Sequence, residues 1–182
     1  MEYLKSPFSS SFYDARDFSL NDQWYYSALL DLTTCSNFRS EPEWIAKRLG
    51  ISQKEVLKAI ELLQKAGLLK IEAGQFRKTE EHLVVPTVVS REKIRRYHKM
   101  MSLKAIETME KNISLEDFQR RLIKGSTIAV NPKQLEKAKI IINNALNEVI
   151  HTLTQGECTE IYHFNLQLFP LLKPADKSGD EK

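Results

Sequence analysis

Apolar residues recur at helical spacing in four stretches of the chain and alternate, strand-like, between them. Trp24, Ala28, Leu29 and Leu32 mark a first helix, which the Ser19-x-x-Asp22 pattern would start and which would end near Thr34. Residues 40–67 then read as two short helices joined by a tight turn. Ser40 with Glu43, and Ser52 with Glu55, are S-x-x-E pairs able to satisfy each other's backbone donors at a helix start. Gly50 and Gly67 stand where each helix must stop, because glycine accepts the left-handed conformation of a helix exit. Ile51, apolar within the turn, is expected to pack on its own helices, and Val56, Ile60 and Leu63 form the buried stripe of the second one. The run from Leu68 to Thr79 reads as strand, turn around Gly74, strand. A helix-turn-helix followed by such a hairpin is a winged helix, whose second helix can enter a major groove.

The chain divides near residue 89. Residues 1–18, with Phe8, Phe12, Tyr13 and Phe18 among serines, form an arm that would dock some of its aromatics. The winged-helix domain covers 19–89, its last ten residues an extended connector that Pro86 restricts to an edge or a linker. Residues 90–172 form a companion domain. A helix from Ser90 to about Asn112 places Ile94, Tyr97, Met101, Ala105 and Met109 on one face. Residues 117–130 look extended, anchored by Leu122, Ile123, Ile128 and Val130, with Gly125 as a bend or bulge. Asn131-Pro132 opens an apolar helix that runs to Leu153, and a last strand spans Glu160 to Leu168. The tail over 173–182 is polar enough for disorder. The expected class is α+β: a winged helix, then helix-strand-helix-strand with a small antiparallel sheet.

Composition narrows little. No apolar run approaches the ~20 residues of a membrane span, and Met1-Glu-Tyr-Leu-Lys-Ser-Pro-Phe8 lacks the basic-then-apolar order of a signal peptide. Cys35 and Cys158 are too few and too far apart for a disulfide framework, so free thiols and a cytoplasmic location are expected. A net charge of +3 does not argue for nucleic acid by itself.

The charge pattern says more. With Val56, Ile60 and Leu63 inward, Lys54, Lys58, Glu61 and Lys65 fall opposite and Gln53, Leu57 and Gln64 flank them. Gln53, Lys54, Lys58 and Lys65, with Arg77 and Lys78 on the wing, are the candidate DNA contacts: lysine neutralises phosphates and glutamine pairs with adenine edges. An ordinary solvated face would carry the same residues. Residues 40–80 hold eight Lys or Arg against six Asp or Glu, and the reading helix has no arginine. The most basic stretch lies later, where residues 91–104 carry six Lys or Arg and one Glu. There Arg91, Arg95 and Lys99 share a face and form a second candidate stripe for phosphates or a partner.

Catalysis is not expected. His82, His98, His151 and His163 show no metal-ligand spacing, and neither cysteine has a histidine near it in sequence. Lys124-Gly-Ser-Thr127 lacks the upstream glycine and the strand-to-helix context of a phosphate loop. No cofactor is implied.

Five segments together resemble a known group. They are Trp24-Tyr-Tyr-Ser-Ala28, the I-A-x-x-L-G-I-S-x-x-E-V core from Ile45 to Val56, Ala66-Gly-Leu-Leu69, Ile94-Arg-Arg-Tyr-His98 and Tyr162 with Gln167-Leu-Phe-Pro170. They look like an uncharacterised bacterial winged-helix family that carries a domain of unknown function and is expanded in predatory and related bacteria. The resemblance covers roughly residues 20–171 and implies a winged helix, a companion α+β domain and a regulatory role, without catalytic residues. Family members usually carry a further N-terminal helical region, so the chain would be short by nature or trimmed. Two functions follow as expectations. One is a cytoplasmic transcription regulator that binds duplex DNA, a homodimer whose second half dimerises or senses. The other is a protein-interaction adaptor that uses the winged helix as a scaffold and the 91–104 stripe as its contact.

Overall fold

The computed structural model describes residues 14–15, 18–19, 22–79, 91–111 and 114–173. Most of the aromatic arm, the connector around Pro86 and the tail beyond 173 therefore lie outside the described residues. Within them the chain is α+β and rich in helix, with two small antiparallel sheets. β1 (Asp14–Ala15) pairs with β2 (Phe18–Ser19), Asp14 opposite Ser19. Ser19 is thus strand backbone and does not cap the first helix. That helix, α1 (Trp24–Leu32), begins at Gln23 with no side-chain cap.

α2 (Pro42–Leu49) and α3 (Gln53–Lys65) are joined by Gly50, Ile51 and Ser52. Only one of the two expected capping boxes forms. At α3 the Ser52 hydroxyl accepts from the Glu55 N–H, while the Glu55 carboxylate accepts from the Ser52 N–H at 2.8 Å. Those hydrogen bonds, from the Ser52 hydroxyl and then its backbone, hold the Glu55 carboxyl below its ordinary range. At α2 the cap moves to Glu41, because Pro42 occupies the first helical position, where its missing N–H costs nothing. Ser40 is freed for another task. Its hydroxyl accepts the Phe76 N–H at 3.0 Å and ties the hairpin to the start of α2.

Both helix exits use glycine as the sequence predicts. Gly50 and Gly67 have φ of 67° and 70°. The N–H of the next residue then reaches back to the carbonyl five residues before it: Ile51 to Ala46, Leu68 to Leu63. Each such residue is apolar and turns inward, Leu68 into the core and Ile51 against it. β3 (Leu69–Glu72) and β4 (Gln75–Lys78) close through Ala73-Gly74, both at positive φ, the conformation that matches hairpin twist.

Tyr25, Tyr26, Leu29, Leu30 and Leu32 of α1 meet Ile45 of α2, Val56, Ala59, Ile60 and Leu63 of α3, and Leu68 and Leu69 at the hairpin. One buried hydroxyl lies beside this core. Thr33 donates to the Leu30 carbonyl at 2.7 Å and accepts the Lys78 N–H at 3.2 Å, joining the end of α1 to β4. Thr33→Val removes both bonds and leaves a strand N–H unpaired. The expected cost is about 1–2 kcal/mol, read as a lower urea midpoint with an unchanged slope.

The second half differs from its expected plan. α4 (Arg91–Glu110) and α6 (Leu135–Leu153) form as predicted, the latter preceded by a 3-10 turn over Pro132–Gln134 that Asn131 caps. Residues 115–119, partly read as extended, are instead a short helix, α5 (Leu115–Gln119), because the Ser114 hydroxyl accepts the Asp117 N–H and caps it. Residues 121–131 and 157–170 are irregular and belong to no sheet, so the expected companion sheet is absent among the described residues. A strand exists only with a ladder partner, and alternation alone supplies none. Gly125 accordingly has no ladder to bulge from.

Candidate nucleic-acid interface

α3 buries Val56, Ala59, Ile60 and Leu63 and turns Gln53, Lys54, Leu57, Lys58, Glu61 and Lys65 to solvent. The structure sorts the predicted contacts by what already holds them. Lys65 is taken by Glu61, one turn earlier, at 2.5 Å, and Lys65 in turn pulls the Glu61 carboxyl below its ordinary range. Lys78 is taken by Asp31 of α1 at 2.7 Å. Arg77 donates only to Gln75, its neighbour on β4, at 3.0 Å. The side chains of Gln53, Lys54 and Lys58 make no hydrogen bond or ion pair among the described residues, and all three are exposed; Lys58 adds to the pull of Lys65 on the Glu61 carboxyl. The free cationic groups of this face are therefore Lys54, Lys58 and, with one neutral hydrogen bond, Arg77.

Helical phase puts Leu57 on the flank and gives it no role. It is 52% exposed between Lys54 and Lys58, an apolar side chain on an otherwise polar face. Such a group can meet a thymine methyl or a partner's apolar surface. A leucine one step off the buried stripe is the only sequence signal for it.

The second basic stripe is also uncommitted. Arg91, Arg95 and Lys99 are exposed on α4 and carry no ion pair among the described residues. Their neighbours are committed. Arg96 pairs with Asp22, and Lys104 lies 4.4 Å over the Trp24 ring while bonding Glu107 at 2.9 Å. Lys111 bonds the same carboxylate, and these two lysines hold the Glu107 carboxyl at about 2. α4 is thus fixed to α1 on one side and leaves Arg91, Arg95 and Lys99 open. The two basic sets are carried on separate elements, with no hydrogen bond or ion pair joining them among the described residues.

Residues 157–161 fasten the second half to the first. Ser36 donates its N–H to the Cys158 carbonyl at 3.0 Å and its hydroxyl to Glu157 at 2.6 Å, and Asn37 donates to the Thr159 carbonyl at 3.3 Å. Glu160 receives Arg48 of α2 at 3.3 Å and Arg120 at 3.5 Å, and Ile161 packs on the core. Both cysteines are free, and burial, then Cys158, pushes the Cys35 thiol up. Beyond this point the chain runs along α4. Asn165 and Gln167 donate to the Ser102 hydroxyl at 3.5 and 2.7 Å, and the His163 ring stands edge-on to Tyr97.

That contact has a pH signature. Desolvation where the ring meets Tyr97, and secondarily His98, hold His163 below its ordinary value although the residue keeps exposed surface, so the folded state resists protonation. Stability linked to this group is complete above the unfolded pKa of about 6.5 and falls as the pH drops below it. Acidification from about pH 7.5 to about 5.5 should lower the melting temperature. His163→Gln, which cannot take the charge, should flatten that slope in a calorimetric pH series.

Among the described residues no group of His, Cys, Asp or Glu could hold a metal ion, and no helix is long and apolar enough to cross a membrane. The family model for a domain of unknown function, DUF4423, matches residues 10–171. No curated protein and no solved structure matches the chain.

Proposed function

The chain belongs to the DUF4423 family; because that family supplies no activity, we propose from the geometry that it is a transcriptional regulator whose residues 19–89 form a winged helix and bind duplex DNA. The observation that carries this reading is the outward face of α3. It is a helix fixed at both ends by its own caps, presenting Gln53, Lys54 and Lys58 with no side-chain hydrogen bond or ion pair among the described residues, beside a hairpin that presents Arg77. A rigid helix with free cations and one amide suits a groove lined by phosphates and base edges. The second half serves dimerisation or sensing, and the regulator works in the cytoplasm.

Fluorescence anisotropy with genomic duplex fragments, titrated with salt, tests the reading. Three phosphate contacts, from Lys54, Lys58 and Arg77, correspond to a slope of about −2.7 in log K against log salt. Added contacts from Arg91, Arg95 and Lys99 steepen it. Absence of binding at low salt rejects the proposal.

A second reading has its own observation. Leu57 is exposed at the middle of the same face, and α3 carries no arginine. Both suit a protein-interaction adaptor with no DNA contact. Capture of one defined protein, lost on Arg95→Glu with Lys99→Glu, would select that reading.

A further inference from the structure

We infer that a second copy of this chain completes the second half, each copy laying α6 over the apolar face of the other's segment 161–168.

The segment is inside out. Its polar residues Asn165 and Gln167 meet Ser102 of α4, and His163 meets Tyr97. Tyr162, Phe164, Leu166 and Leu168 alternate with these and are between 42% and 59% exposed. A lone chain has no reason to bond the polar edge of such a segment and leave its aromatic and leucine side chains in water.

α6 shows the same deficit. It is amphipathic, with Ile140, Ile141 and Val149 among its apolar residues, yet none of its residues is buried. In its own chain the segment runs along α4, and α6 half-buries Leu135, Ala138, Ile142, Leu146 and Ile150 while leaving Ile140, Ile141, Val149 and Leu153 exposed. The lengths are compatible: nineteen helical residues span about 28 Å, and eight residues reach at most about 26 Å when fully extended.

The surplus of exposed apolar surface is local and large. Of 22 large hydrophobic side chains exposed among the described residues, all but Leu57 and Ile71 lie between Leu103 and Leu172. An obligate homodimer removes about 2,000–5,000 Å² in total, a scale that twenty exposed large apolar side chains on one half can supply.

Charge favours like meeting like. The +5 of residues 91–104 ends where the apolar surface begins, and residues 105–173 hold eight Lys or Arg and eight Asp or Glu. Two such surfaces meet without net repulsion. The inference makes the dimerisation role specific and does not depend on DNA binding, since mass is read without DNA.

Light scattering on the chromatographed full chain should give twice 21.1 kDa. A mass of one chain overturns the inference. Phe164→Asp with Leu166→Asp should return the mass to one chain. Trp44 reports on the first half and Trp24 on its contact with α4, so native fluorescence in that variant shows that the fold of one chain is kept. A variant that keeps the doubled mass overturns the inference. The placement of α6 has its own test, with Cys35 and Cys158 changed to serine. A copy with Ile141→Cys mixed with a copy with Leu166→Cys should give a mixed disulfide on mild oxidation. Its absence overturns the exchange of α6.

Discussion

Lys54→Glu combined with Lys58→Glu is expected to weaken duplex DNA binding at least a hundredfold at ~0.1 M salt. Neither lysine side chain makes a hydrogen bond or an ion pair among the described residues, so each is free to neutralise a phosphate. Losing two such contacts lowers the salt slope by about 1.8, and the two new carboxylates add repulsion at the same positions. Folding should hardly notice. Both side chains are exposed, and a carboxylate at position 58, one turn before Glu61, would cost only a few tenths of a kcal/mol. The control is Lys65→Glu, at a residue whose charge is already spent on Glu61; it should weaken DNA binding far less. Equal losses from Lys65→Glu and from the double change would show a diffuse charge effect and no α3 interface.

Leu63→Ala should have the largest effect on stability. Leu63 is fully buried in the core that α1, α2, α3 and the hairpin share, and its carbonyl also receives the Leu68 N–H at the helix exit. Truncation loses the transfer energy of the removed carbons and leaves a cavity that the capped helix cannot readily collapse around, about 3 kcal/mol in all. Domain stability is typically about 5–15 kcal/mol, so much of it would go. Urea unfolding followed by tryptophan emission should show the midpoint drop. A change below about 1 kcal/mol would mean that the core does not centre on Leu63.

The first half is legible because its determinants are local. A capping box spans four residues, a glycine exit needs one, and a two-residue turn fixes its own hairpin. Ser40 misleads for the opposite reason. Its partner is the Phe76 N–H, 36 residues away, and the proline that displaces it from the cap looks compatible with either role. The site follows the same divide. The Glu61–Lys65 pair is visible at four-residue spacing, whereas the loss of Lys78 to Asp31 depends on β4 docking against α1. The second half is least legible. Periodicity finds its helices, but alternation over residues 161–168 names a face and not what covers it. The same alternation describes a strand, an inverted strap on α4 or half of an exchanged surface.

The fastening of residues 157–161 to the loop after α1 makes α6 a lever. Its fulcrum lies four residues past Leu153, where Ser36, Asn37 and Arg48 hold the chain. The far end at Leu135 is about 28 Å away. A ten-degree swing would carry that end through about 5 Å while the fulcrum barely shifts. Torque at the fulcrum is delivered to Ser36 and Asn37, which connect α1 to α2, and to Arg48 in the last turn before α3. A partner that gripped the distal end of α6 would therefore pull on the loop after α1 and on α2, the elements that share a core with α3.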